Sequence, residues 1–132
     1  MQFPVISALT AGVLIVLQTL LSALISGQRR KTHIAIGDGG DEALQRATRR
    51  HGNLAEQAGL FIAGFTLLEL SGQAPNLLAV LCTAYVLARI SHAIGMSQTV
   101  TTNPGRMIGA IGSLVVGFVL GGTLVWVAVA AG

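Results

Sequence analysis

Long apolar runs constrain this chain more than any other feature of its sequence. Crossing the hydrocarbon core of a bilayer takes about 20 mostly apolar residues as a helix. The stretch 3–26 meets that length with Gln18 as its one strongly polar residue, and 105–131 meets it without a charge beyond Arg106. Two further runs, 54–71 and 75–94, complete a set of four spans, the second of which carries Glu56 and Glu69 near its ends. Only 10% of residues are charged while 52% are hydrophobic, and mean hydropathy is +0.72. A soluble domain carries about 25% charged residues to solvate its outside; here lipid takes the place of water. The predicted fold is an all-α membrane protein, a four-transmembrane-helix bundle forming one domain over 1–132.

The cations then fix orientation. All eight Lys and Arg residues (Arg29, Arg30, Lys31, Arg46, Arg49, Arg50, Arg89 and Arg106) fall between the first two runs or where the third and fourth meet the second long polar stretch. His33, His51 and His92 lie nearby. Positive residues favour the cytoplasmic side, which predicts a multi-pass inner-membrane protein with both termini on the non-cytoplasmic side. The first run reads as a span rather than a leader, because Arg29-Arg30-Lys31 follows it and no positive region precedes it. The net charge of +3 has no basic tracts with interleaved aromatics behind it, which excludes a nucleic-acid partner. Cys82 is the sole cysteine and reads as a small buried hydrophobe.

Local signals place the helix ends. Asp38-Gly39-Gly40-Asp41 is a turn whose last carboxylate can cap a helix running from Asp41 to Leu70. At 1.5 Å per residue that helix is about 45 Å long and projects beyond the bilayer. Asn103 is the expected cap of the fourth helix and Pro104 its first residue, with Arg106 in the first turn. Gly105, Gly109, Ser113, Gly117 and Gly121 recur every fourth residue, a smooth strip for close packing in lipid, within the subunit or between subunits. Trp126 reads as an interfacial anchor. Glu69 has no basic neighbour in sequence and receives no role.

Arg46, Arg49, Asn53 and Glu56 share one helical face, flanked by Arg50 and Gln57. Tyr85, Arg89 and His92 share another, while Arg30 ends the first helix. An ionised Glu56 needs a protein partner in the membrane. An ion-pair ladder is one reading, but cations outnumber carboxylates, so a ligand with surplus negative charge balances the set better. A small zwitterion with extra carboxylates, of which glutathione is one, fits in kind: Glu56 takes an ammonium group and the arginines take carboxylates. A four-span transporter with Glu56 as coupling acid is the other class; such acids usually sit near the midplane, whereas Glu56 lies near one end among arginines.

The stretch Gly37-Asp38-Gly39-Gly40-Asp41-Glu42-Ala43-Leu44, followed by Arg46, Arg49, His51, Asn53 and Glu56, resembles the signature of the MAPEG superfamily (membrane-associated proteins in eicosanoid and glutathione metabolism). Arg89-Ile90-Ser91-His92-Ala93-Ile94-Gly95 resembles its third-helix motif, and the short loops resemble bacterial-type members. The resemblance implies a homotrimer of four-helix subunits with glutathione bound between neighbours near the cytoplasmic face. It implies that Arg49, Asn53 and Glu56 hold glutathione, with His51 beside them and Arg30 reaching the peptide's carboxylate from the adjacent subunit. Arg89 and His92 would line or support the pocket, and Arg106 would stabilise the thiolate. A fixed cation near a thiol favours its charged form. The implied activity is glutathione transfer to, or peroxide reduction of, a lipophilic small-molecule substrate from the lipid bilayer, without a metal; a binding trimer without turnover is the alternative. Two positions depart from the pattern: Gln57 and Met96 stand where many eukaryotic members have tyrosines.

Overall fold

The computed structural model describes residues 3–98 and 103–132; residues 99–102 of the expected loop before Arg106 lie outside them. Four helices follow one another: α1 (Val5–Thr32), α2 (Glu42–Leu70), α3 (Pro75–Gly95) and α4 (Pro104–Ala131). α2 and α3 occupy the middle. α1 packs on both from one side and α4 from the other, so that α1 and α4 make no contact among the described residues.

Three of these helices, α1, α3 and α4, are long and apolar enough to cross a membrane. α2 was expected to be a fourth span over 54–71. It forms as a helix, but Asn53, Glu56, Gln57 and Glu69 dilute its apolar part, so only the four-helix count and three spans follow from length and composition. α1 also runs past the expected end at 26 to Thr32. Nothing after Ser26 breaks a helix: a single Gly27 is tolerated, and Gln28, Arg29, Arg30 and Lys31 are good helix formers. Arg30 therefore sits on the helix.

The turns form as the residues dictate. Asp38 Oδ1 accepts from the Gly40 N–H at 3.1 Å, and Gly39 and Gly40 take left-handed φ values of 56° and 82° that a side chain would strain. Asp41 then caps α2, accepting from the Leu44 N–H at 2.6 Å. Arg29 Nη1 donates to the carbonyls of Ile34, Ala35 and Gly37 at 3.0–3.1 Å and folds the connection over the end of α1. Asn103 caps α4 through the Gly105 N–H at 2.8 Å, with Pro104 following.

Leu14, Leu21, Leu54, Phe65, Leu68, Leu81 and Leu120 make the core, with Cys82 buried among them. Phe61 stacks on Tyr85 at 4.0 Å between ring centroids, and Phe65 meets Tyr85 edge-on at 5.8 Å. The outside stays apolar: Leu9, Ile15 and Leu20 on α1 and Ile108, Leu114 and Phe118 on α4 are exposed, as a lipid-facing surface requires. Trp126 is exposed as well.

Most of the small-residue strip of α4 is spent inside the subunit. A Cβ added at Gly109 would lie 2.5 Å from the Ala88 carbonyl oxygen and one at Gly117 would lie 3.2 Å from the Phe61 ring, whereas Gly121 has nothing within 4 Å. At the ends of α3 and α4 the approach is closest: a Cβ on Gly95 would stand 2.3 Å from the Arg106 backbone nitrogen. Small residues thus let α4 lie directly on α3.

A polar cleft among α2, α3 and α4

Because α1 and α3 end where α2 and α4 begin, the topology collects the cations at one end of the bundle. What lies between them is a cleft of about 550 Å³. Asn53, Gln57 and Phe61 of α2 form one wall at four-residue spacing, Arg89 and His92 of α3 form its floor, and Ser113, Gly117 and Phe118 of α4 close it opposite. One end is polar and the other aromatic and aliphatic.

Arg89 dominates the floor. It is 3% exposed. Its Nη1 donates to Gln57 Oε1 at 3.1 Å and to Ser113 Oγ at 3.2 Å, and its Nη2 lies 3.2 Å from His92 Nδ1. Ser113 in turn donates to the Gly109 carbonyl at 2.8 Å, which fixes its lone pairs toward the guanidinium. Neutral acceptors from three helices therefore orient this cation, and among the described residues no carboxylate reaches it. Its Nε is buried without a partner, as is the Tyr85 hydroxyl one turn away. A buried, uncompensated charge costs several kcal/mol.

Of the residues expected at the site, the cleft brings together Asn53, Arg89 and His92. Asn53 donates to the Arg49 carbonyl at 3.0 Å and faces the Met96 sulfur at 3.8 Å. Arg30, Arg49, Glu56 and Arg106 are exposed on the single subunit, and His51 is half-buried outside the cleft. Arg46, expected on the same stripe, turns back to pair with Glu42 at 3.1 Å. The face was assigned from Cβ directions, but a long guanidinium swings by several ångströms and takes the nearest carboxylate.

Three contributors were not assigned a role from sequence. Gln57 flanks the stripe and stands at one of the two positions that depart from the family pattern, and its four-residue spacing from Asn53 and Phe61 marks the wall. Ser113 belongs to the small-residue strip, and its hydroxyl, one turn from Gly109, is the sequence signal for its place beside Arg89. The third, Glu69, lies far from the cleft and holds the start of α1.

The fold and the cleft define an α-helical membrane protein with a buried arginine at the floor of a cleft among three of its helices. The MAPEG family model matches residues 7–126, and the chain belongs to the MAPEG family. No curated protein matches the sequence at a significant level.

Proposed function

We propose that this chain is a glutathione-binding membrane protein that uses the bound thiolate against lipophilic electrophiles, as a glutathione transferase or peroxidase. The observation that carries this reading is Arg89, buried at the floor of the cleft with hydrogen bonds to neutral groups and no counterion among the described residues. Membership of a family named for glutathione metabolism points to the same ligand. In this reading the tripeptide's ammonium group meets Glu56 and Asn53, and its carboxylates meet Arg49 and Arg30. Arg106, at the positive end of α4, and Arg89 lower the pKa of the thiol by favouring its charged form. The thiolate sulfur attacks an electrophilic carbon and displaces its leaving group with the bonding electron pair, or attacks the terminal oxygen of a hydroperoxide, breaking the O–O bond with loss of the alkoxide. The apolar end of the cleft, with Phe61, Leu114 and Phe118, admits the substrate from the bilayer.

Arg30, Arg49 and Glu56 are exposed in one subunit, which supports a site completed by a neighbouring copy in a homotrimer. The collected cations support placing the charged end in the cytoplasm and both termini across the inner membrane.

Titrating the purified, reconstituted protein with glutathione while following thiolate absorbance near neutral pH tests the reading. The expected result is a saturable thiolate signal together with conjugation of a lipophilic electrophile. Saturable binding without turnover would leave a binding trimer, and the absence of any binding would end the glutathione assignment.

A further inference from the structure

Arg46 and Arg50 lie one turn apart on α2, and both turn away from the Arg89 cleft toward α1. With Leu24 and Gln28 of α1, Ala43 and Ala47 of α2 and Ser97 just beyond α3 they line a separate depression of about 220 Å³. The two clefts share no lining residue.

Charge in this depression is poorly balanced. Arg50 Nε is buried without a partner among the described residues, and burial lowers the Arg50 pKa. Arg46 has Glu42, but that carboxylate is 81% exposed, and an exposed pair is weak and screened by salt. The other carboxylate nearby, Asp41, accepts from the Leu44 N–H and the Gln28 amide through Oδ1 and stands outside the lining. Two guanidinium groups line the depression and no carboxylate does, so its wall is cationic.

Depth says what enters it. The apolar run of α1 ends at Ser26; Leu24, exposed on its last apolar turn, forms the lower rim, and Gln28, one turn beyond, forms the upper. The depression therefore straddles the boundary between hydrocarbon and headgroups, where lipid phosphates lie. Basic pockets between helices at this level take anionic lipid headgroups, and guanidinium groups match phosphate oxygens in pairs.

We infer that this depression binds the phosphate diester of an anionic phospholipid, with Arg50 and Arg46 on its oxygens and Leu24 against the glycerol end of the acyl chains. The site is independent of the glutathione reading.

Native mass spectrometry of the full chain with phosphatidylglycerol or phosphatidylcholine tests it, alongside thermal unfolding in phosphatidylcholine nanodiscs with and without inorganic phosphate. Wild type should retain phosphatidylglycerol over phosphatidylcholine. Arg50→Gln should cut that retention about tenfold, the loss of a charge-assisted hydrogen bond, and Arg50→Lys should restore part of it. Lys31→Gln, exposed on α1 outside the depression, should change nothing. Far-ultraviolet circular dichroism checks that each variant folds, and Arg46→Gln carries the same comparison if Arg50→Gln does not. Equal losses in Lys31→Gln and Arg50→Gln would mean diffuse surface charge and overturn the site, as would the absence of any preference for phosphatidylglycerol. Stabilisation by inorganic phosphate alone, abolished by Arg50→Gln, would overturn the lipid assignment in favour of a soluble phosphate.

Discussion

The Glu69 carboxylate accepts the backbone N–H of Ser7 at 2.8 Å, and that of Ile6 at 2.9 Å, so that the last turn of α2 caps the first turn of α1. α1 has no acidic residue in its first turn, and Pro4 at its N-cap offers no side-chain acceptor. Its free N–H groups would otherwise face a poorly hydrated boundary. A carboxylate at the positive end of the helix serves both the hydrogen bonds and the dipole.

Removing that carboxylate should loosen the bundle. Glu69→Ala is expected to cost about 1–2 kcal/mol, the scale of a lost cap with charge-assisted bonds, and Glu69→Gln less, because an amide oxygen still accepts. Unfolding of the reconstituted protein followed by circular dichroism measures both. An unshifted Glu69→Ala midpoint would show that α1 is capped by something else.

Glycines of α3 and α4 should divide by their surroundings. Gly95→Ala and Gly109→Ala drive a Cβ to 2.3 Å and 2.5 Å from backbone atoms of the facing helix; neither backbone can yield without parting α3 from α4. Overpacking of this kind costs about 1–3 kcal/mol. Gly121→Ala meets nothing within 4 Å and should gain up to about 1 kcal/mol from helix propensity. The same unfolding assay ranks the three, and a neutral Gly109→Ala would contradict the close α3–α4 approach.

Arg89 separates a ligand-binding cation from a structural one. Arg89→Met removes a buried charge but leaves Gln57 Oε1 and Ser113 Oγ without their donor, so the net loss of stability should stay under about 3 kcal/mol. Glutathione binding should fall at least about tenfold, the loss of one charge-assisted hydrogen bond. Calorimetry and thermal unfolding on the same preparation read the two effects. Loss of stability with unchanged affinity would make Arg89 a packing residue.

Arg49→Ala and Glu56→Gln should each weaken glutathione binding about tenfold or more through lost ionic hydrogen bonds. Both residues are exposed on the single subunit, so unfolding midpoints should hardly move. Calorimetric affinities unchanged in both variants would remove the α2 stripe from the site.

Elements whose ends are set by local chemistry were legible in the sequence. Asp41, Asn103 and Pro104 define helix starts by hydrogen bonds within a few residues, and the apolar runs declare α1, α3 and α4 through transfer free energy, which depends on composition. The membership of the α3 face was also readable, because Arg89 and His92 are held together by the helix itself. α2 was only partly so: its polar residues make it a helix that composition does not mark as a span.

Composition and helical periodicity thus determined four helices, the gathering of the cations at one end and the residues sharing each face. Only tertiary structure decided where the long side chains go. It sent Gln57 and Ser113 to Arg89 and Glu69 to the first turn of α1, whereas Arg46 meets Glu42 one turn away on the same helix. It also gave Gly109 and Gly117 to contacts inside the subunit while leaving Gly121 open. The reason is that hydrogen bonds reaching across 24 to 63 residues depend on how helices pack side by side, and one chain's periodicity fixes a residue's direction around its own axis without saying which helix stands there.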